Sequence, residues 1–181
     1  MTELTLIPHD GIEIQSIGKI RFGQTANEVE RTLGAPSFKD DMRYFYDDYE
    51  ISVMFSTDKK VEAIECNAGP FSDKTRTVIY GADFFSLSAD EVIDLMEKMN
   101  NASIFIENPG RPKKSIWYIE IDVGVWRDID EADAEESVKE AINSGVYEMD
   151  KDSYDNEVRK ARHFRTVLIG RKDYYRDSLA S

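Results

Sequence analysis

Histidine and cysteine are the side chains best suited to proton transfer and nucleophilic attack near neutral pH. This chain of 181 residues offers Cys66, His9 and His163 and no others. A Cys66/His163 pair would make a nucleophile and its base if the fold brought them together. Cys66, however, closes the apolar run "KKVEAIEC" and reads as a small core residue. The chain has no Gly-x-Ser-x-Gly, no phosphate-cradling Gly-rich loop and no His-Glu-x-x-His. Acidic runs raise the question of a metal. "DKDSYDNE", Asp150 to Glu157, spaces oxygens as a loop does, yet it is too short for a calcium-binding loop and lacks the glycine at its bend. "DIDE", Asp128 to Glu131, has no histidine beside it. Both read as solvated helix starts, so no catalytic residue, metal or cofactor is expected.

The remaining chemistry is recognition. Three strand-like runs, "MRYFYDD", "YEISVMFST" and "KKVEAIEC", are separated by Asp47-Asp48, read as a turn, and by "TDKK". In the second, Tyr49, Ile51, Val53 and Phe55 alternate with Glu50, Ser52 and Met54, the period of a half-buried strand. Further on come "ASIFIEN", a "PGRPKK" turn and "SIWYIEIDVGVWRD". The last reads as one long strand, with Trp117, Ile119, Ile121, Val123 and Val125 on one face. Tyr118, Glu120, Asp122 and Trp126 take the other. A partner-binding surface is therefore expected from Tyr44, Tyr46, Glu50, Met54, Tyr118, Glu120, Asp122 and Trp126. Tyrosine and tryptophan bury large areas at small entropic cost, and the carboxylates beside them suit a Lys- or Arg-bearing partner. The same face has two other uses: cover by the C-terminal segment, or a homodimer contact.

The elements that must position these residues begin with an internal repeat. "GQTANEVERTLGAP", residues 23 to 36, returns as "SLSADEVIDLMEKM", residues 86 to 99. Thr25-x-x-Glu28 and Ser88-x-x-Glu91 are capping boxes that start a helix. Ala26, Val29 and Leu33 mark the buried face of the first helix, and Ala89, Val92, Ile93, Met96 and Met99 that of the second. Gly34 and Pro36 stop the first. The fold class expected is α+β: two tandem helix-plus-antiparallel-hairpin units, residues 17–69 and 70–127, forming one curved sheet with helices on one face. Residues 1–16 are an N-terminal segment, and 128–181 a C-terminal extension packed on the same domain. Within it, "DIDEADAEESVKEAINSG" predicts an acidic helix ending at Gly145, "DSYDNEVRKARHF" a second, and "RTVLIGRKDYY" a closing strand.

"IGKIRFGQTANEVERTLGAP", followed by strands rich in Tyr and Phe, resembles the repeat unit of the β-lactamase-inhibitor-protein (BLIP) and SmpA/OmlA group. The likeness covers residues 17 to 66 and, more weakly, 79 to 127. It implies a helix leading into an antiparallel hairpin, twice in tandem, and a protein-binding surface. The second unit departs from it, ending Met-Glu-Lys-Met-Asn where Leu-Gly-x-Pro belongs. The disulfides of the inhibitor and the lipidated N-terminal cysteine of the lipoproteins have no counterpart here.

Charge narrows the partner. Thirty-six acidic and 23 basic residues leave a net charge of −13. Such a field repels nucleic acid and anionic lipid and speeds encounter with a basic protein. Residues 128 to 157 carry twelve acidic and two basic side chains; residues 158 to 181 carry seven basic and two acidic. One cysteine and no signal-peptide pattern lead to the expectation of a cytoplasmic protein. The function expected is a non-catalytic immunity or inhibitor protein that occludes a basic toxin or enzyme. The alternatives are a small metal-dependent hydrolase with Asp/Glu ligands between 120 and 155, and a self-associating structural module.

Overall fold

The two capping boxes form in full. In a computed structural model, which describes residues 1–101, 104–106 and 114–180, Thr25 caps α1 (Ala26–Leu33) and Ser88 caps α2 (Ala89–Asn100). Each hydroxyl accepts the N–H of the glutamate three residues on, at 3.3 Å in both cases. Each glutamate in turn accepts the cap's own N–H, at 2.7 Å from Thr25 and 2.8 Å from Ser88. Gly34 ends α1 with φ at 84°. Val29 and Leu33 of α1, and Ala89, Val92, Ile93 and Met96 of α2, are buried as their helical spacing predicts, whereas Ala26 is half-buried and Met99, 39% exposed, lies outside the buried face.

The strands form two sheets. The smaller has the order β3-β2-β1-β8-β9. It combines β1 (Thr2–Ile7), β2 (Gly11–Ile14) and β3 (Gly18–Arg21) with β8 (Thr75–Ile79) and β9 (Ala82–Asp83). β1 and β8 run parallel, Leu4 beside Thr77 and Leu6 beside Ile79. The larger sheet, order β10-β11-β12-β13-β7-β6-β5-β4, is antiparallel throughout. Its first half comes from the chain after α1: β4 (Phe38–Lys39), β5 (Arg43–Tyr46), β6 (Ile51–Phe55) and β7 (Val61–Cys66). Its second half comes from the chain after α2: β10 (Ile104–Ile106), β11 (Ser115–Tyr118) and β12 (Val123–Trp126).

Between the two halves lies β13 (Thr166–Gly170), drawn from the C-terminal extension. Val167 pairs with Val125 on one side and Cys66 on the other; Ile169 pairs with Val123 and Ile64. The expectation of one sheet made by two adjacent units is therefore corrected. The strands following α1 and α2 do share a sheet, but the tail's strand joins them, and the N-terminal segment builds a second sheet. The reason lies in the sheet edges: without β13, β7 and β12 would each expose a row of N–H and C=O groups that needs a partner, and β13 satisfies both rows.

One buried cluster unites the layers, drawing Leu4, Leu6, Ile12, Ile14 and Ile20 from the small sheet, Val53, Ile64, Val123 and Ile169 from the large one, and Val29, Val92 and Met96 from the helices. The extension then forms α3 (Glu131–Asn143), capped by Asp130, α4 (Lys151–Ala161) and the short α5 (Tyr174–Ala180). The predicted "PGRPKK" turn lies outside the described residues apart from Lys114. Among the described residues, no helix is long and apolar enough to cross a membrane.

Candidate functional site

Pairing decides which side chains of the large sheet face outward. Residues directly opposite one another share a face. Tyr44 lies opposite Val53, and Tyr46 opposite Ile51, so both tyrosines share the core face with these buried residues. Tyr46 is buried and Tyr44 half-buried against Phe55, with ring centroids 4.8 Å apart. Tyr118 lies opposite Val123 on the same inner face and is wholly buried. Burial pushes the phenols of Tyr46 and Tyr118 well above their ordinary pKa. Tyr46 and Tyr118 are therefore enclosed in the core rather than turned outward as expected, and Tyr44 keeps only part of its surface in solvent.

The physical reason is the same in both hairpins. "SIWYIEIDVGVWRD" is not one strand: Ile119 to Asp122 make a turn between β11 and β12. Turning back in this register inverts the alternation, so Trp117 faces outward opposite Gly124 while Tyr118 faces the core. In β5 and β6, likewise, Arg43 and Phe45 lie outward, opposite Met54 and Ser52.

The predicted carboxylates are spent on the fold. Glu50 sits in a turn with φ at 52° and accepts hydroxyl hydrogen bonds from Ser72 and Thr75, both at 2.5 Å. Asp122 is 1% exposed. It accepts the backbone N–H of Asp173 at 2.8 Å and of Tyr175 at 3.0 Å, and meets Nε2 of His9 at 3.1 Å. Glu120 is exposed but ion-paired with Arg176. Of the eight residues expected to bind, Trp126, 42% exposed, and the half-buried Met54 look outward unengaged by such pairs.

Asp122 anchors α5 on the outer face, so helices do not keep to one side of the large sheet. The seat is made by two glycines. A Cβ at Gly124 would fall inside the phenol of Tyr175, and one at Gly170 would stand 2.5 Å from Cβ of Tyr174. Tyr175 lies flat on Trp117, centroids 5.1 Å apart at 21°, and Trp117 on Phe105, 4.8 Å apart at 28°. A three-ring stack thus runs from the C-terminal helix to strand β10. Burial raises the Tyr175 phenol far above its ordinary pKa.

What α5 leaves open is aromatic at both ends. On the β10–β12 side are Trp126 and Phe105, the latter 36% exposed. On the β4–β5 side are Phe38, 63% exposed, and Phe45, with rings 5.6 Å apart. Arg43 stacks over Phe45 at 5.2 Å, donates to the Ser52 hydroxyl at 2.9 Å and pairs with Glu65. The sequence pattern alone did not place Phe38, Phe45, Phe105 and Trp117 on this face: Phe45 lies between Tyr44 and Tyr46, and Trp117 beside Tyr118, and the pairing that turns those tyrosines inward turns these rings outward.

The groups considered for catalysis are placed differently. Cys66 is fully buried on β7, and burial pushes its thiol up to about 12. His163 holds the Leu87 carbonyl at 2.8 Å through Nδ1 and sits edge-on to Phe71. Asp128 pairs with Arg165 at 2.5 Å and Glu131 with Arg162 at 2.7 Å. Among the described residues, no three His, Cys, Asp or Glu side chains gather as metal ligands. Comparison with protein-family models, with curated proteins and with solved structures finds no match.

Proposed function

We propose that this chain is a non-catalytic protein-binding protein of the immunity or inhibitor kind, which occludes a basic toxin or enzyme with the outer face of its large sheet. One observation carries the reading: Trp126 and Phe105 stand exposed on an antiparallel sheet, Phe105 stacked on Trp117 and Trp117 on Tyr175. Rigid aromatic anchors of this kind lose little entropy on binding and dominate interface energies. The net charge of −13 favours a basic partner over nucleic acid or anionic lipid. The likeness to the BLIP and SmpA/OmlA repeat belongs to the same reading. It takes α1 with its strands and α2 with its strands as two copies of one unit, and a cytoplasmic setting completes it.

The test is affinity capture from cells of the source organism with wild-type protein and Trp126→Ala, at low and at high salt. One basic protein recovered in near-equal amount at low salt, less of it when capture is done at high salt, and depleted by the substitution, is the expected result. Capture of nothing specific, together with a dimeric mass by light scattering, would replace the reading by self-association through the same aromatic face.

A further inference from the structure

The helical hairpin α3–α4 presents an apolar tip that the sheet-face reading does not use. Its buried residues are small: Ala134 and Ala141 on α3, Ala161 on α4. The larger apolar side chains stay outside. Ile142 is 55% exposed, Val146 41% and Met149 83%. Their positions, each three or four residues after the last, follow the chain through the turn, where the N–H of Val146 donates to the Ala141 carbonyl and that of Met149 to Val146. Ile142 and Tyr147 border a hollow of about 200 Å³, room for one aliphatic side chain. Exposed apolar residues gathered in this way mark interaction sites more often than single ones do.

The rim selects the occupant. Glu140, Glu148, Asp150 and Asp152 are all exposed around the tip and outnumber its two exposed lysines, Lys139 and Lys151, the latter over the Tyr147 ring, within a stretch that carries twelve acidic and two basic side chains. A second copy of so negative a chain is repelled, as is an anionic lipid surface. We propose that the α3–α4 tip docks a basic amphipathic helix of a partner protein, whose apolar stripe covers Ile142, Val146 and Met149 while its Lys and Arg meet the acidic rim. This site is distinct from the outer sheet face and shares with that reading only the basic character of the partner.

The experiment uses a fluorescein-labelled synthetic helix about 18 residues long, built from Leu and Lys at helical spacing. It is titrated with the full chain by fluorescence anisotropy at about 0.15 M salt. A peptide of the same composition with its leucines scattered round the helix is the control. The expected result is binding of the amphipathic peptide that is at least about tenfold tighter than binding of the scattered one. The Ile142→Ser/Met149→Ser protein, unaltered in charge, should weaken it about tenfold, and Trp126→Ala should leave it unchanged. Met149→Ser alone, at a side chain already in solvent, carries the same test without risk to folding. Equal binding of both peptides would reduce the effect to bulk charge attraction and overturn the proposal. So would unchanged binding by the serine variants, or loss with Trp126→Ala, which would move the contact to the sheet.

Discussion

A methyl group at position 124 has nowhere to go, because the phenol of Tyr175 occupies its place. Gly124→Ala should therefore lift α5 from the sheet and destabilise the protein by about 1–3 kcal/mol. Urea unfolding gives the energy, and near-ultraviolet circular dichroism reports the broken Trp117–Tyr175 stack. The capping residues make a gentler test: Thr25→Ala and Ser88→Ala should each cost about 1 kcal/mol in thermal or urea unfolding. Both box glutamates also tie stability to pH. The cap N–H groups hold the carboxyls of Glu28 and Glu91 below their ordinary value of 4.5. A depressed folded-state pKa means that their contribution is complete above the unfolded value and fades as pH falls through the folded one. Glu28→Gln/Glu91→Gln should accordingly lose less stability than wild type between neutral pH and the acid side of 4.5, in paired melting curves. A residue's chemistry was legible where it acts locally, as in these boxes. Tyr118 was misplaced because its orientation is set across a hairpin, by the register that opposes it to Val123.

The element that holds the large sheet together is β13. It pairs with β12 and β7, so deleting residues 166–181 would open two ladders at once and remove α5. The truncated chain is expected to lose its cooperative melting transition and bind a hydrophobic dye; a sharp, native-like transition would show that the two halves associate unaided. The helices α1 to α4 were readable from capping or spacing, and the run "RTVLIG" from its apolar content, but the expected closing strand ends at Gly170, and Tyr174 and Tyr175, read as its continuation, open α5. Its station in the middle of the sheet was not, because strand order depends on which open edges remain after the rest has folded. The same limit hid β1 and β8. Leu4, Leu6, Ile12 and Ile14 alternate plainly, but the parallel partner of β1 lies more than 70 residues away, at Thr75–Ile79. The alternation in "SIWYIEIDVGVWRD" puts Asp122 on a strand face pointing at a partner; its place in a turn appears only with the hairpin, where it seats α5.

At the scale of the whole molecule the negative charge is unevenly spread. The stretch that forms α3 and α4 holds most of the local acidic excess. The outer sheet face instead combines exposed aromatic rings with the paired Arg43–Glu65 and Glu120–Arg176. Under the proposed function, long-range attraction and close-range anchoring would reside in different places: the acidic helices would draw in a basic partner, and the rings of the sheet face would anchor it. Salt should slow association and barely alter dissociation, which stopped-flow mixing would separate. The sequence announced the charge and the aromatic content; their separation in space required the fold. The decisive measurement is a calorimetric titration of the captured partner into wild type and Trp126→Ala. A loss of about 2 kcal/mol or more in binding free energy, with the melting temperature unchanged, is expected if the sheet face is the interface. Equal affinities would contradict it and place the interface elsewhere on the molecule.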